Sequence, residues 1–457
     1  MLQNICLRTL VTLFLAFLRI RSSFFFNFVL STNLFLSGCY PPARSVYYPY
    51  MKILFFDYWL KGVSNFTRLM PEIKNQCPEA EVKMLHVGSW KEHQAQPVNN
   101  HGDFSSFDIS YYNSSFIYKV LKKERPDVVV MLNIYLLLDK AMIAFCKKMG
   151  IRVVFLSHGR LSQADANSKS SQANPKKKSL KSKLKKEPFL TLLNYAHGTL
   201  LTGNLFQLFK TVGKMVKNKF SIVFPSLFNS ELDADEMLVY YDSDRKLLVK
   251  DKNFPENKIK VIGNPELDDF VNLPVMEKEE FKKVAAIEDK PYLLYLDDGW
   301  VENGMIPKKD WIDHITEINT LAEKAGLNLV IKLHPRTKPE EFRDFFNEKG
   351  IKAFKKEVDF KSLIHYSQVV SSLASTTISM ALFLNKRVIS PRFGKVEEVF
   401  LNYPEDVIHY SKTPQDFLDF ISSEKPSAIN QKYLEDNFSQ CDGKVISRIV
   451  KNIIGEK

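Results

Sequence analysis

Short apolar runs alternate with longer amphipathic segments from Met51 onward. The runs are rich in β-branched side chains and bounded by polar residues, which predicts buried strands. Between two of them, Leu136–Lys148 has apolar residues at helical spacing and predicts a helix. This alternation favours a parallel sheet with right-handed crossovers. The predicted strands are Ile53–Phe56, Val82–Val87, Asp127–Leu132 and Arg152–Ser157, with weaker ones at Ile222–Phe228, Met237–Tyr241 and Lys258–Ile262.

A second alternating block follows a break at Gly263-Asn264-Pro265 and a charged stretch near 275–289 that we interpret as a linker. Two doubly wound α/β domains facing each other across a cleft are the simplest architecture, with boundaries at 51–274 and 275–457. A last helix, Lys444–Ile454, is expected to reach back to the first domain. The second block has predicted strands at Tyr292–Leu296, Leu327–Leu333, Val369–Ser372 and Arg387–Ser390, and predicted helices at Lys309–Ala325, Phe342–Lys349 and Thr376–Leu384.

Residues 158–220 are expected to interrupt the first domain. Ser168–Lys186 is rich in serine and lysine and predicts a mobile loop. The segment from Leu205 to Lys219 has apolar residues at helical spacing with lysines on the other face. A basic amphipathic helix beside a lysine run suits an anionic membrane surface, whereas a core-facing helix with a solvated lysine face explains the same pattern.

Residues 1–50 differ from the rest of the chain. Their Phe- and Leu-rich runs are split by Arg19 and Arg21, so neither forms a clean apolar span. Leu36-Ser37-Gly38-Cys39 matches a bacterial lipobox. Three interpretations stay open: a start site placed too far upstream of Met51, a membrane anchor, and a lipoprotein signal. We exclude this segment from the expected fold.

Composition and charge narrow the class of protein. With 457 residues, 45% hydrophobic and 12% aromatic, the chain can form two cores. The five cysteines are scattered, which argues against a disulfide framework and suits a reducing compartment. The net charge of +12 arises mainly in residues 1–50, with four arginines and no acid, and in 168–188, with eight lysines and one glutamate. A nucleic-acid partner is therefore not expected.

Two loop motifs in the last third carry the candidate chemistry. Lys332-Leu333-His334-Pro335-Arg336 ends one predicted strand, and Ser371-Ser372-Leu373-Ala374-Ser375-Thr376-Thr377 ends another and opens a helix. Cationic side chains at a strand end, and hydroxyls with backbone N–H groups at a helix start, suit a phosphate. Such loops hold ligands at the carboxyl ends of α/β strands. The predicted phosphate-binding residues are His334, Pro335, Arg336, Ser371, Ser372, Ser375 and Thr376.

The order of these motifs resembles that of GT-B glycosyltransferases of bacterial surface-polysaccharide synthesis. Asp297-Asp298-Gly299, His334-Pro335 and Ser371-Ser372 are similar to the motifs of bacterial sialyl- and polysialyltransferases. His158-Gly159 and Gly263-Asn264-Pro265-Glu266-Leu267-Asp268, followed by the same later motifs, are similar to those of CDP-glycerol glycerophosphotransferases. The resemblance covers about Met51–Ile454. It departs from the second family at Ser157 and at Val369-Val370, where that family has tryptophan and aspartate.

This resemblance implies inverting transfer from a nucleotide-activated donor. Such transfer needs a base for the acceptor hydroxyl and positive or dipolar groups for the leaving phosphate. Asp298 and His158 are the two candidate bases, and Asp297 is expected to orient its neighbour or to cap the following turn. His334 and Arg336 would stabilise the leaving group. Neither a metal nor a cofactor is expected.

The expected function is therefore transfer of a sugar, such as a CMP-sialic acid-like donor, to a surface or capsular glycan or a lipid-linked acceptor. The expected location is cytoplasmic and peripheral to the inner membrane, because nucleotide-activated donors are cytoplasmic. The alternatives are a CDP-glycerol or CDP-ribitol glycerophosphotransferase, a sugar-nucleotide 2-epimerase, and a non-catalytic glycan-binding or export accessory protein.

Overall fold

The structure is a computed structural model, and it describes most of the chain after residue 49. The described residues are 50–58, 60–91, 95–134, 136–159, 186–203, 208, 211, 233–252, 254–287, 289–302, 304–373, 375–394, 403–423 and 431–455. The predictions for residues 1–49, for nearly all of the loop at 168–186 and of the amphipathic helix at 205–219, and for a strand at 222–228 lie outside these residues. Within the described ranges, every helix is too short or too polar to cross a bilayer.

The first sheet has eight strands in the order β3-β4-β2-β1-β5-β6-β7-β8. All neighbouring pairs are parallel except β3 with β4. The predicted parallel sheet is confirmed, whereas β3 and β4 were not predicted because they are short and largely polar. The strands are β1 Lys52–Phe56, β2 Glu81–His86, β3 Val98–Asn100, β4 Ser105–Asp108, β5 Val128–Met131, β6 Arg152–Leu156, β7 Glu236–Val239 and β8 Ile259–Val261.

Helices cover both faces of this sheet, so its central strands are apolar on both sides. Ile53 and Phe55 of β1 face one hydrophobic cluster, and Leu54 and Phe56 face another. The helices of this half are α1 Val63–Thr67, α2 Met70–Gln76, α3 Ile117–Glu124, α4 Leu137–Met149, α5 Lys186–Leu201, α6 Asp242–Lys252 and α7 Pro265–Asn272.

The second sheet has six parallel strands in the order β11-β10-β9-β12-β13-β14. Its central strand β9 is buried along its whole length. The strands are β9 Tyr292–Leu296, β10 Asn328–Lys332, β11 Lys352–Phe354, β12 Val369–Ser372, β13 Val388–Pro391 and β14 His409–Ser411. The helices are α8 Lys278–Ala285, α9 Lys308–Lys324, α10 Arg343–Glu348, α11 Phe360–Tyr366, α12 Ile378–Phe383, α13 Pro414–Ser422, α14 Gln431–Phe438 and α15 Val445–Ile454. The two doubly wound halves have the expected GT-B-like architecture.

The prediction of a linker near 275–289 is partly wrong, because this stretch contains helix α8. Phe281 of α8 packs on the ring of Tyr366, with 4.8 Å between the ring centroids. Lys361 donates to the carbonyls of Val271 and Leu273 at 2.8 and 2.6 Å, and the Tyr366 hydroxyl donates to Met276 O at 2.7 Å. The connecting segment is thus attached to the second half.

The last helix, α15, returns to the first half, as predicted. Asp268 of α7 accepts hydrogen bonds from the backbone N–H groups of Gly443 and Val445, where α15 begins. At the other end, the Arg152 guanidinium donates to Asn452 O at 3.0 Å. The aspartate of the Gly263–Asp268 motif therefore caps a helix that joins the two halves.

Candidate functional site

The carboxyl ends of β10, β9 and β12 lie side by side, because β9 runs between the other two strands. Leu296 of β9 pairs with Lys332 of β10 on one side and with Ser372 of β12 on the other. The motifs at 297–299, 332–336 and 371–377 therefore meet at one edge of the second sheet. This is the edge at which α/β sheets bind ligands.

Asp297 holds the loop that contains His334. Its Oδ2 accepts from the His334 backbone N–H at 3.1 Å and from the Thr337 hydroxyl at 2.7 Å. Its Oδ1 accepts from the Gly299 N–H at 3.2 Å. The carboxylate is buried. Asp297 thus joins the ends of β9 and β10 and also caps the turn after β9.

The His334 ring lies against Gly299, and its orientation is fixed. A Cβ on Gly299, where φ is +65°, would lie 2.7 Å from His334 Cγ. The Arg336 backbone N–H donates to His334 Nδ1 at 3.2 Å, so in the neutral ring Nε2 carries the proton. Burial lowers the pKa of His334, against the nearby Asp297 carboxylate, so the imidazole is neutral at pH 7. Pro335 and Arg336 are exposed beside it.

Asp298 contacts the serine loop rather than the histidine loop. Its carboxylate lies 3.2 Å from Ser372 Oγ, and it accepts from the Leu373 N–H at 3.2 Å. Ser372 is fully buried, and its hydroxyl also lies 3.1 Å from Leu296 O. In this structure the Ser372 hydroxyl and the Leu373 N–H, both placed to bind an anion, bind Asp298.

The remaining hydroxyls differ in exposure. Ser371 is fully buried, and its Oγ has no hydrogen-bond partner within the described part of the chain. Ser375 is half-buried, its hydroxyl lies 2.6 Å from Thr377 Oγ1, and Thr376 is exposed. Helix α12 begins at Ile378, two residues later than predicted. Ser375 and Thr376 are therefore the predicted phosphate-binding hydroxyls that reach the surface of this edge.

His158 lies at the carboxyl edge of the first sheet, two residues after the end of β6. Its side chain is exposed, and Nδ1 lies 3.0 Å from the Leu132 carbonyl at the end of the neighbouring β5. Because a carbonyl can only accept, Nδ1 donates, and Nε2 of the neutral ring keeps its lone pair. The contact with Leu132 therefore does not involve Nε2, the atom of His158 that would accept a proton.

Asp57 is a candidate functional residue that the sequence analysis missed. It follows β1, it is buried, and its Oδ1 accepts from the Tyr58 N–H at 2.8 Å. Burial raises the pKa of the Asp57 carboxyl, while the Tyr58 N–H and the nearby His158 act in the opposite direction. Gly62 allows this packing, because a Cβ there would lie 2.9 Å from both Asp57 Cγ and Leu132 Cδ1. An aspartate directly after the first strand, with a glycine five residues later, was the available signal.

Histidine, cysteine and acidic side chains do not form groups of three that could bind a metal in the described ranges. Metal-independent catalysis stays a prediction, as does the absence of a cofactor.

No family model and no curated protein matches the sequence. Solved structures do match it over most of their length. A UDP-GlcNAc 2-epimerase from Methanocaldococcus jannaschii is 17% identical, over 88% of this chain and 99% of that chain, with a TM-score of 0.46. A UDP-GlcNAc 2-epimerase from Neisseria meningitidis bound to UDP-GlcNAc is 12% identical, over 89% and 99%, with a TM-score of 0.47. The lipopolysaccharide outer core galactosyltransferase WaaB, in its apo form, is 12% identical, over 88% and 99%, with a TM-score of 0.45.

Both epimerases and glycosyltransferases are among these structures.

Proposed function

We propose that the protein is a glycosyltransferase that binds the phosphate of a nucleotide-activated sugar at the carboxyl edge of the second sheet. The observation that carries this proposal is the fixed His334 ring. Its backbone N–H is bound to Asp297 and its Nδ1 accepts from the Arg336 N–H, so the Nε2–H is the donor left for a ligand. A pre-oriented, neutral N–H donor at a strand end suits a phosphate oxygen.

The leaving nucleotide takes up negative charge as the bond between the anomeric carbon and the phosphate oxygen breaks. His334 Nε2–H and the Arg336 guanidinium would stabilise that charge, with Ser375 and Thr376 at the border of the same edge. Removing one such pre-oriented donor typically lowers kcat by about 10²–10³-fold.

We propose His158 rather than Asp298 as the base. Asp298 lies among the donor-side loops and is bound to Ser372 and Leu373. A base there would sit beside the leaving phosphate, with which its negative charge interacts unfavourably. His158 belongs to the other sheet, and its Nε2 can accept the hydroxyl proton while the acceptor oxygen attacks the anomeric carbon. Asp57 would stabilise the resulting imidazolium.

A cytidine-linked donor of the CMP-sialic acid kind is proposed because Asp297-Asp298-Gly299, His334-Pro335 and Ser371-Ser372 occur in that order. The same proposal includes a surface or capsular glycan as the sugar acceptor. It also includes sugar transfer at the cytoplasmic side of the envelope.

A donor screen tests the proposal. The full chain is mixed with UDP-GlcNAc, GDP-mannose, CMP-sialic acid or CDP-glycerol, and its thermal midpoint and any donor hydrolysis are measured. A true donor at about 100 times its Kd should stabilise the fold by about 2.7 kcal/mol. This stabilisation should disappear in His334→Ala.

Four outcomes would contradict this proposal. Conversion of UDP-GlcNAc to its 2-epimer without an acceptor would make the protein an epimerase. Transfer of glycerol phosphate from CDP-glycerol would make it a glycerophosphotransferase. No stabilisation by any donor, or equal stabilisation of His334→Ala, would remove the proposed phosphate site.

A further inference from the structure

Helix α5 exposes an apolar stripe. Phe189 is 59% exposed and Leu200 is 44% exposed, although both are large hydrophobic side chains. They are eleven residues apart, which places them on the same face of an α-helix. Leu193 and Ala196 lie between them on that face and are half-buried. The stripe therefore extends along about three turns of the helix.

The opposite face of α5 is firmly packed against the first half. A Cβ on Gly198 would lie 3.1 Å from Ala144 Cβ of α4, so the two helices are in close contact. The Tyr195 hydroxyl lies 3.0 Å from Thr211 Oγ1, and Asn194 accepts from the Ile117 N–H at 3.0 Å. The stripe thus lies on a helix whose opposite face is well packed, so poor packing of the helix does not explain why the stripe is exposed.

Helix α3 borders the stripe through His197, which is one turn from both Leu193 and Leu200. The His197 ring lies 5.9 Å from the Phe116 ring and 5.3 Å from the Tyr118 ring. The ammonium group of Lys122 lies 4.8 Å from the Tyr118 ring. A lysine of α3 therefore lies close to the apolar face of α5.

This border is strongly basic. Lys119, Lys122, Lys123 and Arg125 are exposed on or directly after α3, and the single acid among them, Glu124, is bound to Lys83 at 2.7 Å. Exposed Tyr111 lies beside Lys123, whose ammonium group is 5.8 Å from its ring.

We propose that the α5 stripe and the basic border of α3 form a docking surface for an anionic membrane. Apolar side chains would enter the interface between headgroups and acyl chains, the lysines would bind anionic headgroups, and the exposed tyrosine suits the same depth. A second copy of the chain fits poorly, because it would bring the same positive charges together. The surface is distinct from the proposed phosphate site, so either proposal can fail alone.

Sedimentation of the full chain with vesicles tests this surface. Vesicles of phosphatidylcholine with about 30% phosphatidylserine are compared with pure phosphatidylcholine, at low and high salt. Two patch variants are used: Phe189→Ser with Leu200→Ser, and Lys119→Gln with Lys122→Gln and Lys123→Gln. The matched control is Lys278→Gln with Lys283→Gln and Lys324→Gln, which removes three exposed charges elsewhere.

The wild type and the control should bind anionic vesicles, with binding that falls at high salt. The triple lysine variant should bind at least roughly tenfold more weakly, since each lysine contributes to attraction by the surface. The serine variant should lose binding even at low salt, and both variants should keep the wild-type thermal midpoint. Wild-type binding to neutral vesicles alone, or patch variants that bind as the control does, would overturn the proposal. So would a dimer in gel filtration that the serine variant abolishes.

Discussion

The carboxylate of Asp297, at the end of β9, accepts a hydrogen bond from the backbone N–H of His334 beyond the end of β10, at 3.1 Å. The same carboxylate binds Thr337 and Gly299. Its next neighbour, Asp298, binds the loop after β12. Two consecutive aspartates directly after the central strand thus hold the loops on either side of it.

Asp297→Ala should destabilise the protein by about 3 kcal/mol, because it leaves three hydrogen-bond donors in a buried site without a hydrogen-bond acceptor. It should also abolish the stabilisation by a bound nucleotide-sugar, since the His334 backbone loses the carboxylate that holds it. Asp297→Asn keeps the shape and part of the acceptor capacity, so we expect a smaller loss. Urea unfolding with and without donor measures both effects.

The control for this series is Asp344→Ala, an exposed carboxylate on α10. It should change the unfolding free energy by less than about 0.5 kcal/mol. A similar result for Asp297→Ala would mean that the loop keeps its position without this carboxylate.

Gly299→Ala should displace the His334 ring and abolish donor binding. The new methyl group would overlap the imidazole, and φ at this position is +65°. Gly304→Ala is a matched control, because Gly304 has φ +67° but no atom within 4 Å of an added Cβ. Both variants should lose about 1–2 kcal/mol from the left-handed backbone, whereas only Gly299→Ala should lose donor binding. Donor titrations followed by thermal shift compare the two directly, and equal binding would place the ligand away from His334.

His158→Ala should lower kcat by about 10²–10⁴-fold, which is the usual contribution of a general base. Asp298→Asn should act mainly on KM for the donor, because Asp298 holds the serine loop and lies outside the first sheet. Steady-state kinetics with the donor found in the screen separates the two effects. The reverse pattern would make Asp298 the base, and equal, mild losses would exclude both.

Stability should depend on pH through His314. This residue of α9 is 5% exposed, its Nε2 has no hydrogen-bond partner within the described residues, and burial lowers its pKa to about 4. The unfolded chain, with a pKa near 6.5, takes up the proton first. The stabilisation is therefore complete above pH 6.5, and about 3 kcal/mol of it is lost as the pH falls to about 4.

His314→Leu should remove this pH-dependent loss of stability, because a leucine fits the apolar space near Tyr295 and Phe393 and does not titrate. Urea unfolding of the wild type and of His314→Leu at pH 7.5, 5.5 and 4.5 gives the slope of unfolding free energy against pH for each protein. Parallel slopes would show that another group causes the loss.

The sequence predicted the elements that are both long and apolar. Strand β9 reads Tyr292–Leu296 in prediction and structure alike, because a buried central strand needs apolar residues on both faces. Strands β11 and β14 were missed, since edge strands of three residues need little apolar surface. Helix α5 was missed because it follows a long serine- and lysine-rich segment.

The arrangement of the site was only partly predictable. Strand-end placement brought the loops of His334 and Ser372 to one edge, as the motif spacing implied. Which aspartate binds which loop depends on the strand order, with β9 between β10 and β12, and that order is not encoded in any local pattern. The burial of Ser372 and that of Asp57 are tertiary effects of the same kind.

The capping of α15 by Asp268 limits how the protein can be dissected. A fragment that stopped at residue 274 would contain Asp268 but not Gly443 and Val445, whose N–H groups it accepts. It would also uncover the side of α2 where Gln76 bonds to Ser447. Fragments of the two halves that are expressed separately should therefore aggregate or fail to fold. Recovery of the fragment that ends at residue 274 should require co-expression of a segment that contains α15.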